Sequence, residues 1–224
     1  MREGTPFYFV KNSKIKVGVV GIGRWGKNLL REFNRIAEVR TVYHLGQAKN
    51  ASWLDENYPA VNLASNYQSI INDPEIEAVV IATPIATHYQ LTLAALEVGK
   101  HVFVEKPLAE SLNEAQNLVV LAKEKNRVLA VGHVFLYHPV LDEIIKLTAD
   151  TPINQLEMSW YKYGTFGENL QNNLLSHELA LAFFLLGLPE RARLGRKQKV
   201  ITETDIAECQ LIYPDSREVN IYIN

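Results

Sequence analysis

The chain has 224 residues, 47% apolar and 21% charged, with a formal net charge of −2; this permits a sizeable core in one or two domains and gives no electrostatic case for nucleic acid or an anionic membrane. Its only cysteine, Cys209, excludes an intrachain disulfide and a zinc cluster, and Arg191, Arg193, Arg196, Lys197 and Lys199 read as solvated surface. No apolar stretch reaches membrane-spanning length and the first fourteen residues lack a signal peptide's apolar core, so the expected setting is cytoplasmic, without a membrane partner.

The first strand runs from Ile15 to Val20, with a β-branched run of Val17, Val19 and Val20. The turn Gly21-Ile22-Gly23-Arg24-Trp25-Gly26 closes it, and a helix follows from Trp25 to Ile36. A second strand spans Val39 to Leu45; Leu63 to Tyr67 is a short extended piece, and Gln68 to Asn72 a short helix before the Asp73-Pro74 turn. Ala78-Val79-Val80-Ile81-Ala82 has the continuous apolar character of a strand buried on both faces. Thr87 is placed to cap a helix over His88 to Glu97 that stops at Gly99. His101 to Val104 is a further strand, closed by Glu105-Lys106-Pro107. Ser111 and Glu114 form a capping box for a helix expected to bury Leu112, Ala115, Val119 and Ala122, and Val128 to Val131 is the next strand. Alternating strands and helices demand a parallel sheet with right-handed crossovers. The fold class is therefore α/β, a Rossmann-type doubly wound parallel sheet over residues 1–135.

Residues 136–224 change character and predict a shortened α+β domain with an open, mainly antiparallel sheet. Pro139 to Leu147 reads as a helix, Gln155 to Tyr163 as an alternating strand, and His177 to Leu186 as an apolar helix ended by Gly187 and Pro189. Two strands, Ala207 to Tyr213 and Glu218 to Ile223, flank the turn Pro214-Asp215-Ser216-Arg217. Ala207, Cys209, Leu211, Val219, Ile221 and Ile223 alternate with polar residues, as on a half-buried sheet face.

Three groups of residues carry chemistry. Gly21 permits a tight turn, Gly23 lets backbone approach a pyrophosphate, and Gly26 lets helix and strand pack closely; the following helix N-terminus favours phosphate. The second strand ends Val42-Tyr43-His44-Leu45, without the acidic residue that usually meets an adenosine ribose, so His44 or Lys49 is a candidate for a 2′-phosphate or is plain surface. Thr83 and Pro84 suit a loop over the dinucleotide, with His88 either part of that loop or a helix-start histidine; His101 and His138 show no readable partner. Lys106 ends a strand where such sheets bind ligands and can stabilise an alkoxide and pass protons, with Glu105 beside it to orient the ammonium and Pro107 to aim the turn. His177 opens its helix, where the dipole favours neutral imidazole; it is a proton acceptor or a satisfied structural histidine.

These residues together resemble the glucose–fructose oxidoreductase / inositol dehydrogenase / rhizopine-catabolism dehydrogenase family of NAD(P)-dependent oxidoreductases. The resemblance runs nearly end to end, on Gly21 to Gly26, Ala82-Thr83-Pro84 with His88, Glu105-Lys106-Pro107, the segment GHVFLYHP at 132–139, and His177. It implies NAD or NADP as cofactor and a sugar-like small molecule, with a lean toward nucleotide-linked sugars, held between the two domains. It places Ile22, Arg24 and Trp25 with the glycines against the cofactor, and His133 and Tyr137 near nicotinamide and sugar. A family Asp-x-x-x-His pair falls on Asn173 and His177; Asn173 cannot titrate, so His177 is the implied base, Lys106 orients the hydroxyl and Asn173 only hydrogen-bonds. Family members generally continue beyond the equivalent of Asn224, so the sheet is expected to show an edge and an apolar face covered by a second subunit, making a homo-oligomer. The favoured activity is a CH–OH dehydrogenase; a non-catalytic dinucleotide- or sugar-binding regulator is the alternative.

Overall fold

The computed structural model describes residues 14–161, 175–198 and 206–223. The chain divides into two compact units with the boundary between Val131 and Gly132. In the first, β1 (Lys16–Val20), α1 (Gly26–Ile36), β2 (Glu38–Tyr43), α2 (Gln47–Asn57), β3 (Asn62–Ala64) and α3 (Gln68–Ile71) precede β4 (Ala78–Ile81), α4 (His88–Glu97), β5 (His101–Val104), α5 (Leu112–Glu124) and β6 (Leu129–Val131). The six strands lie in the order β3-β2-β1-β4-β5-β6, and every pairing is parallel.

Helices cover both faces of this sheet. Leu29, Leu30 and Leu54 pack with Val17, Val19 and Val42 on one face, and Leu96, Leu118 and Ala122 with Val79, Ile81 and Val104 on the other. Strands covered on both sides must be apolar throughout, which is why Val79, Val80 and Ile81 are all essentially inaccessible. The capping box at Ser111 and Glu114 forms, with each side chain bonded to the other's backbone N–H. The stripe of α5 is rotated from expectation: Leu118 and Ala122 are buried, whereas Leu112 is 71% exposed and Val119 is on the exposed side. The run Leu118-Val119-Val120-Leu121-Ala122 is apolar all round, so its sequence does not set the phase of the helix. Thr87 does not cap α4; its hydroxyl lies 2.7 Å from both Thr83 Oγ1 and the Pro84 carbonyl, turned back over a 3-10 turn at Ile85–Thr87. His101 and His138 do have partners, accepting the Val128 and Val140 amides.

In the second unit, α6 (Pro139–Leu147), β7 (Gln155–Trp160), α7 (Ser176–Leu186), β8 (Arg191–Gln198), β9 (Ile206–Ile212) and β10 (Glu218–Ile223) follow. The sheet order is β7-β10-β9-β8, antiparallel except for the β7–β10 pair. The strand expected to reach Tyr163 ends at Trp160, and residues 162–163 lie outside the described residues. The alternating face of Ala207, Cys209, Leu211, Val219, Ile221 and Ile223 is buried, but its cover is internal: Ala182 and Leu186 of α7 pack on it. An apolar face awaiting a second subunit is thus corrected, because the chain's own helix shields it. Glu208, Gln210, Asn220 and Tyr222 alternate onto the other face. Among the described residues, no helix is long and apolar enough to cross a membrane.

Candidate active site

The sheet order reverses between β1 and β4, and strands diverging there leave a crevice at their carboxyl ends. The glycine-rich turn leaves β1 on one side and Ala82-Thr83-Pro84 leaves β4 on the other. The three glycines divide their work. Gly21 has φ +90°, and a Cβ there would lie 2.5 Å from the Ala82 carbonyl oxygen. A Cβ at Gly26 would collide with the Gly21 carbonyl. Both are demanded by the chain's own packing. At Gly23, among the described residues beyond its chain neighbours, a Cβ would meet nothing within 4 Å. That open position, followed by a helix with no acidic residue in its first turn, fits the approach of a dinucleotide pyrophosphate.

His44, just past β2, accepts the Ile22 amide at Nδ1 over 3.3 Å. Burial, and then the nearby Lys27 charge, push its pKa below the ordinary histidine value. The ring is therefore held neutral with its proton on Nε2, a hydrogen-bond donor where related sheets carry a carboxylate. The Lys27 ammonium sits 4.0 Å over the Trp53 ring.

The Glu105-Lys106-Pro107 turn lies across this edge, with a cis Lys106–Pro107 peptide bond. Glu105 is 8% exposed. Its Oε1 accepts the Trp25 indole N–H at 2.6 Å and its Oε2 the Lys106 amide at 3.3 Å. Burial raises its pKa, and these two hydrogen bonds and the Lys106 charge oppose the shift. Lys106 itself is half-buried. His88, 1% exposed, lies with Nδ1 2.8 Å from the Pro107 carbonyl oxygen and Nε2 2.9 Å from that of Thr83. His88 is the first residue of α4, and its ring reaches back to the Thr83 and Pro107 carbonyls. The turn Gly21 to Gly26, His44, Thr83, Pro84, His88, Glu105 and Lys106 thus gather at one sheet edge.

In the second unit, His177 is the second residue of α7 and half-buried. Its ring stacks on Trp160 with centroids 5.6 Å apart and 20° between planes, and meets Phe135 edge-on at 4.8 Å. Phe135 and Trp160 also meet edge-on, at 5.3 Å. His133 is half-buried one residue before the 3-10 turn Val134–Tyr137, and Tyr137 is exposed on it. Asn173 lies outside the described residues. The aromatic walls Phe135 and Trp160 were absent from the expected site; Phe135 belongs to GHVFLYHP, but no spacing ties Trp160 to His177. The bond from Trp25 to Glu105 was equally unreadable, because it joins residues 80 apart.

Residues 15–133 match the family described as an oxidoreductase family with an NAD-binding Rossmann fold. The chain is 31% identical to the oxidoreductase YdgJ of Escherichia coli (strain K12), the match covering 93% of this chain and 64% of YdgJ. It is 25% identical to UDP-N-acetylglucosamine 3-dehydrogenase of Acidithiobacillus ferrooxidans, covering 92% and 66% respectively. It spans, in other words, a little under two thirds of the length of either relative. The solved structure of the latter organism's UDP-N-acetylglucosamine 3-dehydrogenase GnnA shares the fold with a TM-score of 0.85 at 24% identity, over 94% of this chain and 70% of that one. Because the matched residues are the ones that build the glycine-rich sheet edge, the chain belongs to the glucose–fructose oxidoreductase / inositol dehydrogenase family of oxidoreductases, with NAD or NADP as its cofactor.

Proposed function

We propose that the protein is a dehydrogenase acting on a secondary hydroxyl of a sugar, nucleotide-linked sugar or polyol. The observation that carries this reading is Lys106, half-buried on the turn whose Glu105 is hydrogen-bonded to Trp25 of the glycine-rich turn. A bound nicotinamide cofactor supplies the hydride-accepting ring. Gly21, Ile22, Gly23, Arg24, Trp25 and Gly26 hold its pyrophosphate, and Thr83, Pro84, His88 and Glu105 border the rest of it; His133, on the second unit, is a further cofactor-binding candidate. Lys106 hydrogen-bonds the reacting hydroxyl and stabilises negative charge as it develops on that oxygen. On the second unit, His177, its ring held against Trp160 and Phe135, is the candidate proton acceptor, and Asn173 and Tyr137 are the candidate substrate-binding residues. Similarity to a UDP-N-acetylglucosamine 3-dehydrogenase supports the nucleotide-sugar class.

His44 supports acceptance of NADP(H) alongside NAD(H): a donor at this position imposes no repulsion on a 2′-phosphate, as a carboxylate would. Dissociation constants for the two cofactors, measured side by side, check this; a strong preference for NAD(H) would refute it. Homo-oligomer formation through the C-terminal sheet belongs to the same reading, but on the polar face of Glu208, Gln210, Asn220 and Tyr222, and light scattering reads it.

The test is cofactor reduction screened over free and nucleotide-linked sugars and polyols. Turnover that Lys106→Ala and His177→Ala abolish supports the reading. Cofactor binding without turnover on any member of the panel favours the regulator instead, for which the non-titrating Asn173 is the specific sequence feature.

A further inference from the structure

We propose that Trp25 and His88 are positioning residues for Lys106, gripping the residue on either side of it: Trp25 through the Glu105 carboxylate and His88 through the Pro107 carbonyl. The inference rests on the reading of Lys106 as the group that meets the substrate hydroxyl.

A lysine stem has many rotamers, so its head is placed only if its backbone is held. The parallel ladder supplies its last bond here one residue too early, from the Glu105 amide to the Ile81 carbonyl at 2.9 Å. Lys106 lies beyond that bond. Its own amide donates to Glu105 Oε2, and Glu105 Oε1 is held by the Trp25 indole at 2.6 Å. Trp25 is 48% exposed, so burial alone does not explain the orientation of its ring; the short N–H to carboxylate bond does. On the other side, the His88 ring spans the Pro107 and Thr83 carbonyls at 2.8 and 2.9 Å. Both carbonyls only accept, so each ring nitrogen contributes to the clamp only when it carries hydrogen. The two grips come from different segments, the glycine-rich turn after β1 and the start of α4, which follows the Thr83-Pro84 turn after β4. Both segments follow the two strands at the order reversal, which links the seat of the cofactor to the presentation of Lys106.

The experiment reads Lys106 directly and needs no substrate. The folded protein is treated with limiting acetic anhydride, and acetylation of Lys106 is followed by mass spectrometry relative to Lys146, whose side chain is 69% exposed in the second unit. Trp25→Phe removes the indole N–H and keeps an aromatic ring; His88→Gln keeps one donor at similar spacing; His88→Ala keeps none. Released from its grip, Lys106 should gain relative reactivity about fivefold in Trp25→Phe, the factor that one lost hydrogen bond represents. His88→Gln should gain less than His88→Ala, a grading that a purely structural histidine would not produce at unchanged melting temperature. If His88→Ala fails to fold, Trp25→Phe and His88→Gln still decide the matter. An unchanged Lys106 to Lys146 ratio in both folded variants overturns the proposal. Failure of the underlying reading looks different: Lys106→Ala then retains turnover, whatever the acetylation pattern.

Discussion

The two edges of the parallel sheet use charge in opposite ways. At the amino edge, opposite charges are matched to one another: Lys16 pairs with Glu75 at 2.6 Å, and Arg40 with Asp73 at 2.9 Å and Glu75 at 2.5 Å. Lys100 is buried beside them, its ammonium donating to the Asp73 and Ile76 carbonyls at 2.7 Å each. Burial pulls its pKa down, countered by Asp73. At the carboxyl edge, the buried carboxylate of Glu105 is held by an indole and a backbone amide, and space is left open over Gly23. One edge closes its charges on themselves, as stability requires; the other builds a frame around a position that no described residue fills. Substitutions at the two edges should therefore separate cleanly into loss of chemistry and loss of stability.

The largest effect is expected at the carboxyl edge and the aromatic seat of the second unit. Lys106→Ala and His177→Ala should each lower turnover about a hundred- to ten-thousandfold while leaving cofactor affinity nearly intact. Asn173→Ala should cost less, since it removes no proton acceptor, and Asn173→Asp should raise activity by adding a carboxylate. Steady-state kinetics on a substrate found in the screen checks these values. Full turnover in His177→Ala would refute the assignment of the base.

Next in size is a core change that belongs to neither edge. Leu118, fully buried on α5, should cost about 2–5 kcal/mol when truncated to Ala, read by urea unfolding of the first unit. Val119→Ala, on the exposed side of the same helix, should cost much less. Equal losses would contradict the observed rotation of that helix.

A smaller and pH-dependent effect distinguishes the two edges electrostatically. Glu105 has its folded pKa raised above the ordinary 4.5, chiefly by burial. The folded state therefore keeps this proton to higher pH than the unfolded chain. Its contribution is most favourable below about pH 4.5 and is lost as pH rises through the folded value. Glu105→Gln should flatten that decline and leave the neutral-pH melting temperature equal or higher. Asp73 is the reverse case: the Glu75 amide first, and Arg40 after it, hold its pKa below 3.8. Its contribution is present above that value and lost as pH falls through the folded one. Asp73→Asn should be the mildest change of all, diminished further by salt, and without effect on turnover. Thermal melts across pH and ionic strength read both.

Legibility in the sequence followed the range of the interactions involved. The valine-rich β1, the glycine turn, the Ser111 and Glu114 box and the strand His101–Val104 before Glu105-Lys106-Pro107 are written in neighbouring residues, and each is readable. α2 is not, because neither a capping side chain nor an acidic first turn marks its start; β8 is not, because a run of basic residues resembles open surface. The covering of the C-terminal apolar face by α7 and the grip of Trp25 on Glu105 are long-range facts. An alternating strand declares that one face is buried, never by what. Likewise, Trp25 declares a place in a glycine turn and nothing of the carboxylate it reaches.

The central claim is that the open position over Gly23 belongs to a dinucleotide. Gly23 does not take a positive φ and, among the described residues beyond its chain neighbours, a Cβ there meets nothing within 4 Å, so Gly23→Val should fold as the wild type does. Gly26→Ala, by contrast, should destabilise the unit through collision with the Gly21 carbonyl. Isothermal calorimetry of NAD(H) and NADP(H) against wild type and Gly23→Val, with circular dichroism confirming the fold, is the most direct test. The account predicts binding to the wild type and its loss in the folded Gly23→Val variant; unchanged affinity for both cofactors in that variant would contradict it.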